Sequence, residues 1–298
     1  MTTHTRGFGL AAVLLAAGCA VKAAEPAAEA AAILQTAGVQ GGLIVHLGCG
    51  DGRLTVGLRA NDRFLVHGLD ADPARVAKAR ALVHGRGLGG KVSVSRWSGE
   101  RLPFVDNLIR LLVVSDPGGV PAKEMLRVLA PDGVLCVRQD GAWERQVKPR
   151  PEAMDAWTHF LRDPSNNAVS RDRLVGPPRR MQWLAEPLWC RYHHTLASIS
   201  SVVCTSQRVF SIVDEATAGW MEVPGRWRLV ARDAFNGVLL WKRPIDSWAW
   251  HRRGFRSGPV QLPRTLVAGG GCVYLPLGLD RPVSALDAAT GETVHGFK

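Results

Sequence analysis

The residues with chemistry to offer gather between positions 46 and 116. Gly48-Cys49-Gly50-Asp51-Gly52 follows the apolar run Leu43-Ile44-Val45-His46-Leu47 and precedes Arg53 to Leu58, whose apolar positions fall at helical spacing. Strand, glycine-rich turn and helix in that order let the backbone approach a bound ligand closely. Asp70 closes the next apolar run, Phe64 to Leu69, and lies 18 residues beyond Gly52. A carboxylate there can accept hydrogen bonds from both hydroxyls of a ribose. Asp116, just past the apolar run Leu108 to Val114, is the nearest candidate for a base, and no catalytic residue is assigned. Cys190, His193 and His194 stand close enough to suggest zinc. No fourth ligand is near, and Trp189 to Thr195 reads as a loop or strand edge, so no metal site is assigned.

The elements that must hold these residues alternate. Asp72 and Pro73 are an N-cap and a first helical position for a helix through Val76, Ala79, Arg80 and Val83. Val92 to Ser95 reads as a third strand. Leu108 to Val114 reads as a fourth, nearly all apolar and therefore central and parallel. Lys123 to Leu129 reads as a helix, Pro131-Asp132-Gly133 as a turn, and Val134 to Val137 as a fifth strand. Strands alternating with helices predict an open, doubly wound α/β sheet, Rossmann-like, over residues 30–147.

The ordered set HLGCGDG, GLDADP, RLPF and EMLRVLAPDGVL resembles the class I S-adenosylmethionine-dependent methyltransferases over about 100 residues. The resemblance implies S-adenosylmethionine as cofactor. Gly48, Gly50 and Gly52 would pass under its methionine part, Asp70 would bind the ribose, and Ser98 would stand beside the adenine. The family has an acid where this chain has His46, and an Asp where it has Ser98. Restoring the acid by His46→Asp is expected to strengthen cofactor binding, by giving the ammonium group a carboxylate.

Past Lys148-Pro149-Arg150-Pro151 the pattern changes, and 148–179 reads as a linker carrying a short amphipathic helix, Glu152 to Leu161. Tryptophan becomes common, with eight of ten beyond residue 150, and helical periodicity ends. Leu229 to Trp241 then resembles Val283 to Val294, with Asp233 and Asp287 separated by 54 residues. Arg208-Val209-Phe210 recurs as Cys272-Val273-Tyr274 at an offset of 64, which places an insertion around Asp214 to Arg228. Each copy reads as strand, tight turn, strand. The unit AxDxxxGxxxW resembles the repeat of quinoprotein-type (PQQ-like) β-propellers, in which a Trp packs between blades; Trp241 matches, and His295 stands in its place in the second copy. The resemblance implies four-stranded blades over residues 180–298. That length falls short of the roughly 160 residues a closed ring of four blades needs, so a partial, incomplete propeller is expected. No adjacent cysteine pair occurs, which argues against PQQ as a bound cofactor.

The N-terminus carries Arg6 and then an uncharged apolar run, Phe8 to Ala20, too short to span a bilayer of about 30 Å. Residues 1–25 read as a signal peptide. Cys19 suits lipidation, and Val21-Lys22-Ala23 suits ordinary cleavage. Export to the periplasm or the outer-membrane side of the envelope follows. Membrane contact is then expected only through the N-terminal segment or its lipid. The remaining five cysteines are widely and irregularly spaced, so no disulfide framework is indicated; Cys49 and Cys136 read as small buried core residues. The net charge of +11 is spread over both halves without a run of five basic residues, which argues for a generally basic surface and against a nucleic-acid partner. The expected partner is a small molecule or an envelope protein. The leading functional expectation is a methyltransferase-like domain on an exported propeller protein. The alternatives are a non-enzymatic binding or scaffold propeller with an inactive α/β domain and, less favoured, a quinone-dependent oxidoreductase.

Overall fold

The computed structural model describes residues 25–177, 181–188, 198–217, 222–249 and 261–298. The signal-peptide stretch with Cys19, and Cys190, His193 and His194, lie outside the described residues. Among the described residues no helix is long and apolar enough to cross a membrane.

The first unit is a six-stranded sheet in the order β3-β2-β1-β4-β5-β6. Its strands are β1 (Gly42–Leu47), β2 (Phe64–Asp70), β3 (Val92–Arg96), β4 (Ile109–Val114), β5 (Leu129–Gln139) and β6 (Ala142–Val147). The first five run parallel, and β6 pairs antiparallel with β5 at one edge. Every residue of β1 and β4 is buried, as nearly continuous apolar runs, broken only by His46 and Arg110, require of central strands covered on both faces. Alternate side chains divide between two cores. Ile44, Val66, Leu111 and Val113 meet α1 (Pro26–Ala37), α2 (Arg53–Gly57) and α3 (Pro73–Gly85). Val45, Leu47, Leu112 and Val114 meet α4 (Ala122–Val128) and the segment through Leu102 and Phe104. This is the expected Rossmann-like sheet.

Three local expectations are corrected. Pro131-Asp132-Gly133 is not a turn between helix and strand but an irregularity inside β5, where Asp132 takes φ 60°. Its N–H donates to the Lys148 carbonyl at 3.0 Å, and the Lys148 N–H donates to the Gly133 carbonyl at 2.9 Å, so β6 holds the strand together across the kink. Glu152 to Leu161 forms no helix. The Asp155 carboxylate instead accepts from Ala156 N–H, Arg171 N–H and Arg162 Nε at 2.9, 2.8 and 2.7 Å, a local alternative to helical hydrogen bonding. The Trp157 carbonyl accepts from the Cys204 N–H. The third correction is an addition: α1 and β6 belong to the α/β unit, and neither was expected from sequence.

The second half forms two four-stranded antiparallel sheets. One runs β10-β9-β8-β7 from β7 (Ile199–Cys204), β8 (Arg208–Asp214), β9 (Trp227–Asp233) and β10 (Leu239–Pro244). The other runs β11-β12-β13-β14 from β11 (Val267–Gly269), β12 (Cys272–Pro276), β13 (Val283–Asp287) and β14 (Thr293–Gly296). They share one core, with Phe210, Ile212, Leu229 and Trp241 from the first sheet against Val273, Leu275 and Leu286 from the second. The repeat at offset 54 is the hairpin β9–β10 against β13–β14. In each copy the Asp turns the chain: Asp233 Oδ1 accepts from Phe235 and Asn236 N–H, and Asp287 Oδ1 from Ala289 and Thr290 N–H. The insertion expected near Asp214 to Arg228 is the connection 215–226, longer than its counterpart 277–282.

Candidate functional site

The strand order reverses between β1 and β4, so their carboxyl ends open a crevice, the place where ligands of open α/β sheets sit. Gly48 to Gly52 turns there. The Gly48 and Cys49 N–H groups both donate to the Leu69 carbonyl, at 2.9 and 3.0 Å, tying the turn to the end of β2. Two glycines are steric requirements. Gly48 has φ 71°, and a Cβ on it would lie 2.7 Å from the Asp116 N; Gly52 has φ 82°, and its Cβ would lie 2.7 Å from that of Ala79 in α3. The first lets β4's outgoing chain cross the turn, and the second lets α3 pack beneath it.

Asp70 is 5% exposed. Its Oδ2 accepts from Gly50 N–H at 2.8 Å and its Oδ1 from Asp72 N–H at 2.9 Å. A carboxylate offers about four acceptor positions, so one on each oxygen remains. Asp72 caps α3 as expected, accepting from Ala74 N–H at 2.7 Å. Asp70, Asp72 and Asp116 line one cleft of about 220 Å³ together with Leu47, Gly48 and Trp97. Ser98 and Gly118 also line it. Of the expected site residues, then, Gly48, Asp70 and Ser98 face the cleft. Gly50 reaches it through its bond to Asp70, while Gly52 faces α3. Trp97, Asp72 and Arg75 were not expected there. The sequence signal for Trp97 was its place beside Ser98 just past β3, where its N–H donates to the Asp70 carbonyl at 2.9 Å.

His46 does not face the cleft. It is 1% exposed inside β1, with Nδ1 2.8 Å from Thr55 Oγ1 and Nε2 2.8 Å from Ser115 Oγ. Burial pushes its pKa down to about 4, against a smaller opposing pull from Asp70, so the ring is neutral at neutral pH. It bridges α2 and the end of β4 behind the glycine turn. The expectation that a carboxylate at this position would strengthen ligand binding is therefore revised, because the position is closed off from the cleft and would bury the acid between Thr55 and Ser115. Cys49 and Cys136 are buried free thiols, as expected, with pKa values pushed up by burial to about 12 and about 11. Asp116 accepts from Gly118 N–H at 3.0 Å and is exposed.

Residues 44–133 match the sequence family described as a methyltransferase domain, and the α/β unit is a methyltransferase-like domain. No curated protein matches the chain. Several solved structures do. A provisionally assigned S-adenosyl-L-methionine-dependent methyltransferase of Methanococcus maripaludis is 20% identical, covering 38% of this chain and 54% of its own, with a TM-score of 0.35. The [4+2]-cyclase SpnF is 24% identical, covering 39% and 47%, with a TM-score of 0.35. The geranyl diphosphate C-methyltransferase of Streptomyces coelicolor A3(2), solved with Mg²⁺, geranyl diphosphate and S-adenosyl-L-homocysteine, is 17% identical, covering 37% and 44%, with a TM-score of 0.34. The chain spans about half the length of these structures.

Proposed function

We propose that the α/β unit binds S-adenosylmethionine in the cleft between the ends of β1, β2 and β4, and that it does so on an exported protein whose second half is built of PQQ-like propeller blades. The observation that carries the cofactor reading is Asp70. It is fixed by two backbone N–H bonds at the carboxyl end of β2 beside the glycine turn, with acceptor capacity left on both oxygens. The residues fit the nucleoside end. Asp70 would accept from the ribose hydroxyls, and Trp97 and Leu47 offer apolar surface beside Ser98 for the base. Arg75 pairs with Asp72 at 3.6 Å, and Asp70 and Asp116 leave the cleft wall net acidic, which favours a cationic ligand. When bound, the cofactor supplies an electrophilic methyl group on a sulfonium centre. The chain's own contribution to transfer would be to orient the donor and exclude water, which is the larger part of catalysis for an in-line displacement.

The propeller reading is supported by two matching contacts. The Trp241 ring packs on Gly291, and its Nε1–H donates to the Ala288 carbonyl at 3.1 Å. Trp183 packs in the same way on Gly237, with Nε1–H donating to the Ala234 carbonyl at 3.1 Å. Each Trp thus covers the AxDxxxG turn of the repeat that follows it.

Isothermal calorimetry of the whole chain with S-adenosylmethionine tests the cofactor reading. One-site binding is expected, weakened at least tenfold by Asp70→Asn, which turns one ribose acceptor into a donor facing a backbone N–H. Absence of binding by a folded wild-type chain would leave the domain a structural one.

A further inference from the structure

The two halves meet at the amino-terminal end of the α/β sheet, opposite the cofactor cleft. Arg110, in β4 and 4% exposed, donates from Nε to Asp233 Oδ2 at 2.8 Å, and from Nη1 to the Pro131 carbonyl at 3.3 Å. Beside this pair lies a cavity of about 420 Å³ whose wall includes Arg110, Arg145 and Arg208, with Asp132 and Asp233. Behind that wall Arg110 Nη2 and Arg208 Nε are buried and have no acceptor among the described residues. Among the described residues neither Arg145 nor Arg208 forms an ion pair.

A buried cationic donor without an acceptor is costly, and two neighbouring ones repel each other as well. Burial and the nearby Arg110 both push the Arg208 pKa down, partly offset by Asp233 and Asp287. Asp233 is already committed to Arg110 and to the N–H groups of its own turn, leaving it little to offer Arg208. A compact anion with several acceptor oxygens is the kind of ligand that guanidinium forks on such a wall bind.

We infer that the cavity between the α/β unit and the first β-sheet is a binding site for a phosphate-type oxyanion, held by Arg208 and Arg145 against the buried charge of Arg110. The site draws on β4, β6 and β8, so an occupant ties the two halves together. It is separate from the cofactor cleft, and it stands whether or not that cleft binds S-adenosylmethionine.

The test is calorimetric titration of the whole chain with inorganic phosphate in a chloride background at fixed ionic strength. The wild type and Lys78→Gln, an exposed change on α3, are expected to give the same saturable one-site isotherm. Arg208→Gln and Arg145→Gln are expected to bind at least tenfold more weakly. Arg145 is exposed on an edge strand, so its variant decides the matter should Arg208→Gln fail to fold by circular dichroism. No saturable heat from the wild type, or unchanged affinity in Arg145→Gln, overturns the proposal and leaves a hydrated cavity.

Discussion

His46 shows how one residue can match a family position and do something else there. Its neutral ring joins Thr55 to Ser115, so it acts on the cleft by fixing where β4 ends, one residue before Asp116. The ring titrates near 6.5 when unfolded and near 4 when folded, so between those values the unfolded chain binds the extra proton. Stability conferred by the neutral ring is therefore complete above about pH 6.5 and falls away as pH drops toward 4, by up to roughly 3 kcal/mol. His46→Gln should flatten the dependence of urea-unfolding free energy on pH within that window and leave the rest of the profile in place. His46→Asp should lower stability by at least about 2 kcal/mol at neutral pH, because it buries a carboxylate in a closed layer. A variant as stable as the wild type would show that the position is hydrated. The sequence disclosed the type of every residue in this cluster, and the spacing put Asp70 and Gly48 together. It could not disclose that His46 points away from the turn, because a one-residue change of strand face is decided by packing on both sides of β1.

Among the elements, those with strong periodicity were legible and those without it were not. β1, β2, β4 and α3 follow from apolar runs and from the cap Asp72. β6 was invisible because nearly all its residues are exposed, so it carries no apolar alternation; it is held by backbone pairing with β5. α1 was masked by its alanine-rich continuity with the leader expected over residues 1–25, although Pro26 and the left-handed Gly38 mark its two ends. The Glu152–Leu161 stretch had helical spacing of apolar residues but lost to Asp155, whose carboxylate gathers several local donors. The repeat was read correctly as strand, tight turn, strand, and the structure adds that Asp233 and Asp287 hold the turns and how the copies interlock. Trp241→Ala should destabilise the second half by about 3–5 kcal/mol, since it empties the space against Gly291. Trp241→Phe should cost less, though both changes remove the donor to Ala288. Denaturant titrations followed by far-ultraviolet circular dichroism separate the two, and equal effects would mean that the hydrogen bond outweighs the packing.

At the scale of the molecule, the contact between halves is polar and specific. Arg110 reaches Asp233, Asn236 Nδ2 donates to the Leu108 carbonyl at 3.1 Å, and the Phe235 ring lies under the Arg110 guanidinium. Arg110→Met leaves Asp233 buried without its cation, at a cost of about 3–5 kcal/mol. Scanning calorimetry should then resolve separate transitions for the α/β unit and the β-sheets where the wild type gives one; a single unshifted transition would mean that the junction carries no coupling. No sequence pattern announced this pair, because its members are 123 residues apart and each sits in a run that reads as plain strand or turn. The central claim, a nucleoside-binding cleft built on Asp70 and the glycine turn, is tested most directly by hydrogen exchange of the whole chain with and without S-adenosylhomocysteine. The account expects slowed exchange confined to residues 47–52, 70–75, 96–99 and 115–118, and lost in Asp70→Asn. Unchanged exchange in these segments at saturating ligand, or slowing only in the β-sheets beyond residue 198, would contradict it.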